Sequence, residues 1–147
     1  MLIVTRLGVI ACRYLVKGYY ENRYISAPEI AEYHNMNVRA LMPALRQLTR
    51  MGILRSRVGG KEPGFIFAND PAELTLYKIL NVLEGDAQFN CCKELMPNLR
   101  CDCKDKTLCG VFSFFSGVID GASARLRTIS VADYAGRVTI GLPQHLE

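Results

Sequence analysis

Apolar residues recur along the chain with helical spacing that gives way once to a strand period. Leu7, Ile10, Ala11, Tyr14 and Leu15 keep the three-and-four spacing of one helix face, which predicts a first helix capped by Thr5 and ending near Gly18. Ser26-Ala27-Pro28-Glu29 has the form of a capping box, in which serine and glutamate side chains each satisfy one orphan amide. A second helix starts there, turns Ile30 and Ala31 inward and breaks at His34-Asn35. Asn37 caps a third helix with Leu41, Leu45 and Leu48 at i, i+4 and i+7, and Gly52 ends it. Its irregularity is Pro43, whose missing amide and ring clash cost on the order of 3 kcal/mol inside a regular helix. A kink or a late start is therefore expected, and a late start would leave Arg39 in the turn ahead of the helix.

Beyond Gly52 the pattern shortens. Ile53-Leu54-Arg55-Ser56-Arg57-Val58 and Phe65-Ile66-Phe67 read as two strands around the Gly-rich and Pro-containing residues 59–64. Thr75 opens another helix with Leu76, Ile79, Leu80 and Leu83, closed by Gly85. From Cys109 to about Arg127, Phe112, Phe115, Ile119, Ala122 and Leu126 alternate at intervals of three and four, the seam of a coiled coil. With Phe114 added, that face is a large apolar patch for a lone chain, so pairing with a second copy through this helix is expected. Packing on its own domain is the alternative. Residues 129–133 and the tail beyond Gly136 carry no comparable signal.

These elements make a mainly α chain with a small β-hairpin: a winged helix-turn-helix plus a long C-terminal dimerisation helix. The division expected is 1–86 for the DNA-binding module, 87–109 for a cysteine-rich sensor loop, and 110–147 for the dimerisation helix and tail. A length of 147 residues, half of them hydrophobic, suffices for one real core. Arg6 and Arg13 interrupt the apolar start, and no stretch approaches the roughly 20 apolar residues of a membrane span. A cytoplasmic protein with no membrane partner is expected.

Charge sharpens the picture. Residues 1–67 hold ten Lys and Arg against four acids, residues 68–147 eight against ten, and residues 37–61 hold six basic residues and no acid. A solvated helix face normally mixes signs, so this stretch is the expected polyanion surface. A helix-turn-helix directs the start of its second helix into the major groove. Asn37, Val38 and Arg39 are thus candidates for base edges in double-stranded DNA. Arg55, Arg57 and Lys61 on the basic hairpin, and Arg46 and Arg50, are candidates for phosphate or minor-groove contact.

Five of six cysteines stand between positions 91 and 109: Cys91, Cys92, Cys101, Cys103 and Cys109. Crowded thiolates bind a soft metal or an iron-sulfur cluster, or oxidise, and in a reducing compartment a disulfide scaffold is the weaker reading. Cys12, within the first helix, reads as a small buried hydrophobe. A thiol oxidoreductase or electron carrier built on Cys101-Asp102-Cys103 lacks a Cys-x-x-Cys motif and a histidine in the loop, so no enzyme is expected. A winged helix that binds protein instead of DNA fits the acid-free stretch less well.

The order of parts resembles one family in particular. The residues that carry the likeness are Glu29-Ile30-Ala31-Glu32, Asn37 to Gly52, Leu74-Thr75-Leu76, Leu83-Glu84-Gly85, the cysteines, and Ile129-Ser130-Val131-Ala132-Asp133. They resemble the Rrf-two family of bacterial winged-helix repressors, which includes the iron-sulfur cluster regulator and the nitric-oxide-sensitive repressor. The resemblance implies a homodimer on a palindromic operator, with an iron-sulfur cluster on three cysteines before the dimerisation helix. Cys109 matches the last of these, and Cys92, Cys101 and Cys103 offer the others. The iron-sulfur cluster regulator places a histidine three residues after its last cysteine, whereas this chain has Phe112 there. The chain's histidines are His34, expected in solvent in the turn, and His145. Surplus cysteines could then supply four thiolates, which leaves 2Fe-2S, 4Fe-4S and structural zinc open. The function implied is a transcriptional regulator, of repressor type, whose DNA affinity follows the cluster or the thiol redox state; a thiol-based or zinc-containing regulator without a cluster is the alternative.

Overall fold

The structure is a computed structural model that describes residues 2–86, 98, 100 and 106–137. Its first helix, α1 (Ile3–Tyr20), buries Ala11, Cys12, Leu15 and Val16 along one face. It begins earlier than expected. Leu2 stands at the N-cap with no side-chain bond, and Thr5 lies inside the helix, fully buried. Among the described residues the Thr5 hydroxyl has no hydrogen-bond partner, so this residue fills space and does not cap. A buried hydroxyl without a partner costs about 1–3 kcal/mol. Thr5→Val, which keeps the shape and removes the hydroxyl, is expected to raise the thermal midpoint by about 2–4 °C per kcal/mol recovered; a lower midpoint in calorimetry would show that the hydroxyl is bonded.

Helix α2 (Ala27–Tyr33) starts as the Ser-Ala-Pro-Glu pattern predicts, with Ser26 Oγ accepting from the Glu29 amide at 3.2 Å. The Glu29 side chain does something else. Its carboxylate accepts two bonds from Arg23, at 2.8 and 2.9 Å, and one from the Tyr14 hydroxyl at 3.0 Å. The bonds from Arg23 hold this carboxyl below its ordinary range. The pair thereby ties α2 to α1 and to the chain between them.

Helix α3 (Val38–Arg50) begins directly after Asn37, whose Oδ1 accepts from the Arg39 amide at 2.8 Å, and it continues through Pro43. The late start expected from the proline does not occur. Leu41, Leu45 and Leu48 are fully buried on the opposite face. Each contributes roughly 1.5–3 kcal/mol, together more than the roughly 3 kcal/mol a helix loses to an interior proline. Gly52, at φ +75°, then ends the helix.

The hairpin follows. β1 (Leu54–Arg57) pairs antiparallel with β2 (Gly64–Phe67) in the register Leu54 to Phe67 and Arg57 to Gly64. Ile25 extends it by a bridge to Phe65, with amide-to-carbonyl distances of 2.9 and 2.8 Å. Helix α4 (Leu76–Glu84) is capped by the Thr75 hydroxyl, which accepts from the Lys78 amide.

After a short 3₁₀ turn at Lys106–Leu108 come α5 (Gly110–Arg127) and α6 (Val131–Arg137). α5 lies on α4, where the Arg127 guanidinium sits 3.9 Å from the Tyr77 ring centroid. The residues just beyond it carried no sequence signal, yet they complete the core. Leu76 donates to the Ile129 carbonyl at 2.9 Å, Val131 to that of Leu74 at 2.7 Å, and Ala132 to that of Pro71 at 3.1 Å. Val131 is fully buried, and α6 packs on α1. The first and last described helices therefore close one core around the helix-turn-helix.

Candidate nucleic-acid interface and cysteine segment

Because Asn37 caps α3 on time, Arg39 sits in the helix's first turn. Arg46 and Arg50 follow it by seven and eleven residues, close to whole turns at 3.6 residues each, so all three share one face. Each is exposed, as is Asn37, while Val38 is half-buried and packs against the core. Arg50 donates to the Gln47 side chain. Pro43 lies on the same exposed face, four residues after Arg39, which explains why its ring meets no core neighbour.

The wing continues this surface. Arg55 and Arg57 stand two apart on β1, hence on the same side of the ribbon. Arg55 reaches the Ala68 carbonyl at 3.3 Å. Arg57 lies 4.0 Å over the centroid of the Tyr24 ring, a cation–π contact that restrains the guanidinium and leaves its in-plane donors available. Tyr24 is a residue that sequence reading missed: it is 33 positions from Arg57, and nothing in the local pattern joins them. Lys61 is exposed in the loop. Among the described residues, none of the basic side chains in 37–61 forms an ion pair.

Cys91, Cys92, Cys101 and Cys103 lie outside the described residues. Cys109 is the N-cap of α5, half-buried, with its sulfur accepting from the Phe112 amide at 3.4 Å. The amide end of a helix favours an anionic sulfur. Cys12 is the opposite case: burial pushes its thiol up to about 12, so it stays protonated and serves as packing. Among the described residues no group of three or more His, Cys, Asp or Glu is placed to hold a metal.

On α5, Phe112, Ile119 and Leu126 are half-buried, and Leu126 packs against the chain's own core. Phe115 and Ala122 are exposed, and Val111, Phe114 and Val118 join Phe115 in an apolar stripe open to solvent. No helix among the described residues is long and apolar enough to cross a membrane.

No curated protein matches the chain. Solved structures do. IscR of T. potens superposes with a TM-score of 0.73 at 22% identity, over 98% of this chain and 92% of that one. CymR of B. subtilis, that organism's global cysteine regulator, gives 0.75 at 19% identity, over 93% and 96%. The oxidized form of CymR from Staphylococcus aureus gives 0.67 at 20%, over 92% and 96%. At such identities these likenesses establish the winged-helix fold. The family model named Rrf2, described as an iron-dependent transcriptional regulator, matches residues 4–137, from α1 to the end of α6. Its members are regulators and not enzymes. With nearly every residue of the fold inside that match, the chain belongs to the Rrf2 family of transcriptional regulators.

Proposed function

We propose that the chain is a homodimeric, sequence-specific regulator of cytoplasmic DNA, of repressor type, whose grip on a palindromic operator is set by the state of residues 87–109. The observation that carries this reading is the exposed basic face of α3, continued onto the wing by a stretch, residues 37–61, that holds no acid. Asn37, Val38 and Arg39, in the first turn or just before it, are assigned to base edges. Arg46, Arg50, Arg55, Arg57 and Lys61 are assigned to phosphates, where guanidinium and ammonium groups displace condensed counterions.

The dimer reading rests on α5. A solvent-facing stripe of Val111, Phe114, Phe115 and Val118 is costly on a lone molecule, and a second copy would cover it. Two recognition helices must then stand about 34 Å apart to enter one face of the duplex. The segment 87–109 joins α4 to the helix that sets that spacing.

An iron-sulfur cluster, 2Fe-2S or 4Fe-4S, is the cofactor proposed for this segment, with Cys92, Cys101, Cys103 and Cys109 as thiolate donors. Cys109 fits the role: its sulfur faces a helix amide that would also steady a ligating thiolate. The cluster would supply a centre whose charge and attachment change on oxidation or loss. The second reading, control by thiol oxidation or zinc without a cluster, is favoured by Phe112 at the position where the iron-sulfur cluster regulator has histidine. It is favoured too by the likeness to the cysteine regulator CymR.

The DNA interface is tested by replacing Arg57 and Lys61 together with alanine and titrating a mixed-sequence duplex at several salt concentrations. Binding should weaken for all sequences, and the slope of log affinity against log salt should fall by about 2, near one per lost phosphate contact. Unchanged affinity and slope would remove the wing from the interface.

A further inference from the structure

A second feature lies away from the basic face and the cysteines. Arg13, Tyr14 and Lys17 of α1, with Tyr33 and His34 at the end of α2, line a cavity of about 280 Å³, closed on one side by α6. That is close to the lower end of the roughly 300–1,000 Å³ of small-molecule sites.

Two of its polar groups, Arg13 and His34, are uncommitted among the described residues. Arg13 is half-buried, and no carboxylate lies within ion-pair distance of it among the described residues. Lys17 stands 3.8 Å from Glu21, with both side chains largely exposed. His34, expected in solvent, has its Nε2 shut off from water with no hydrogen-bond partner among the described residues. Burial, then the charge of Arg13, holds its imidazole below the ordinary pKa, so the ring is neutral and can donate one hydrogen bond. A polar atom closed off in this way costs about 1–3 kcal/mol, which an occupant would recover only once the ring turns its Nε2 toward the cavity.

The walls are flat. The rings of Tyr14 and Tyr33 are 4.6 Å apart between centroids, and His34 meets Tyr33 edge-on at 4.8 Å. Tyr14 is fixed in place by its hydroxyl bond to Glu29, and the charge of that carboxylate is already matched by Arg23. A guanidinium, an imidazole donor and aromatic faces around one small space select for negative charge on a planar apolar body.

We propose that this cavity is a binding site for a small carboxylate with a flat aromatic or unsaturated body, its carboxylate held by Arg13 and by His34 turned toward it, and its plane against Tyr33. The site bridges α1 to the turn at His34-Asn35, where Asn35 adopts φ +51° just ahead of the recognition helix. An occupant would therefore brace the turn that orients α3. This goes beyond the reading of the DNA and cysteine surfaces and does not depend on it.

Benzoate serves as the probe, with acetate and benzyl alcohol supplying its charge and its ring separately. The chain holds two histidines, so proton NMR of the intact protein, with H34Q to identify the resonance, reads the site directly. Benzoate should shift the His34 Cε1 proton saturably, at least tenfold more tightly than either comparator, and R13Q should weaken that binding at least tenfold. The absence of a saturable shift, an equal response to acetate, an equal response to benzyl alcohol, or undiminished binding in R13Q would each overturn the proposal.

Discussion

Gly64→Ala is expected to lower the midpoint of thermal unfolding by about 6–12 °C, from a loss of about 3 kcal/mol at 2–4 °C per kcal/mol. Gly64 stands at φ +153° where β2 opens, and a Cβ built there comes within 3.0 Å of the Ile25 carbonyl carbon and oxygen and of the Ser26 amide nitrogen. These are backbone atoms, so no side-chain rotation relieves the overlap. The same atoms carry the Ile25 to Phe65 bridge and lead into the cap of α2. One methyl group thus pushes the wing off the helix-turn-helix, and DNA affinity should fall with stability. Gly59→Ala makes the comparison informative. It also has a left-handed φ, +76°, but nothing lies within 4 Å of its Cβ position, so it should cost only the roughly 1 kcal/mol of an unfavourable backbone conformation. Equal midpoints for the two variants would refute the close approach at Gly64.

If the proposed cluster is present, Cys109→Ser is expected to remove most of the bound iron while leaving the fold intact. Serine is among the preferred N-cap residues, so its hydroxyl can accept from the Phe112 amide as the sulfur does. It is a far poorer ligand for iron-sulfur clusters than a thiolate. Protein purified without oxygen should show visible absorption with iron and acid-labile sulfide; the variant should lose these and keep its thermal midpoint within about 1 °C, since caps differ by only tenths of a kcal/mol among good formers. Iron and sulfide retained in full by the variant would dismiss Cys109 as a ligand. A colourless wild-type protein that takes up neither would leave the thiol or zinc reading in its place.

Local signals in the sequence carried much of the architecture. Ser26 and Asn37 cap helices as their spacing predicted, and Thr75 caps the helix expected to open there, because a cap is a contact between residues two or three apart. The hairpin was legible for the same reason. Thr5 misled because a threonine ahead of an apolar run looks alike whether it caps or packs, and only the fully buried site distinguishes the two. Pro43 misled because propensity omits the three leucines buried on the other side of the helix. Tyr24 beneath Arg57, Arg13 beside His34, and Val131 against the core are pairings between distant parts of the chain, and no periodicity announces them. At the candidate site, the basic residues were visible as composition, but their common face on α3 required the helix to start at Val38.

The return of the chain after α5 gives the molecule a closed circuit. Residues 87–109 leave from α4 and rejoin at α5, and the far ends of those two helices are fastened to each other where Leu74 and Leu76 meet Ile129 and Val131. The cysteine segment is therefore a link in a ring and not a pendant appendage. A change in its length would be felt between two anchored helices and not at a free end. A chemical event at a few sulfur atoms would be converted into an angle.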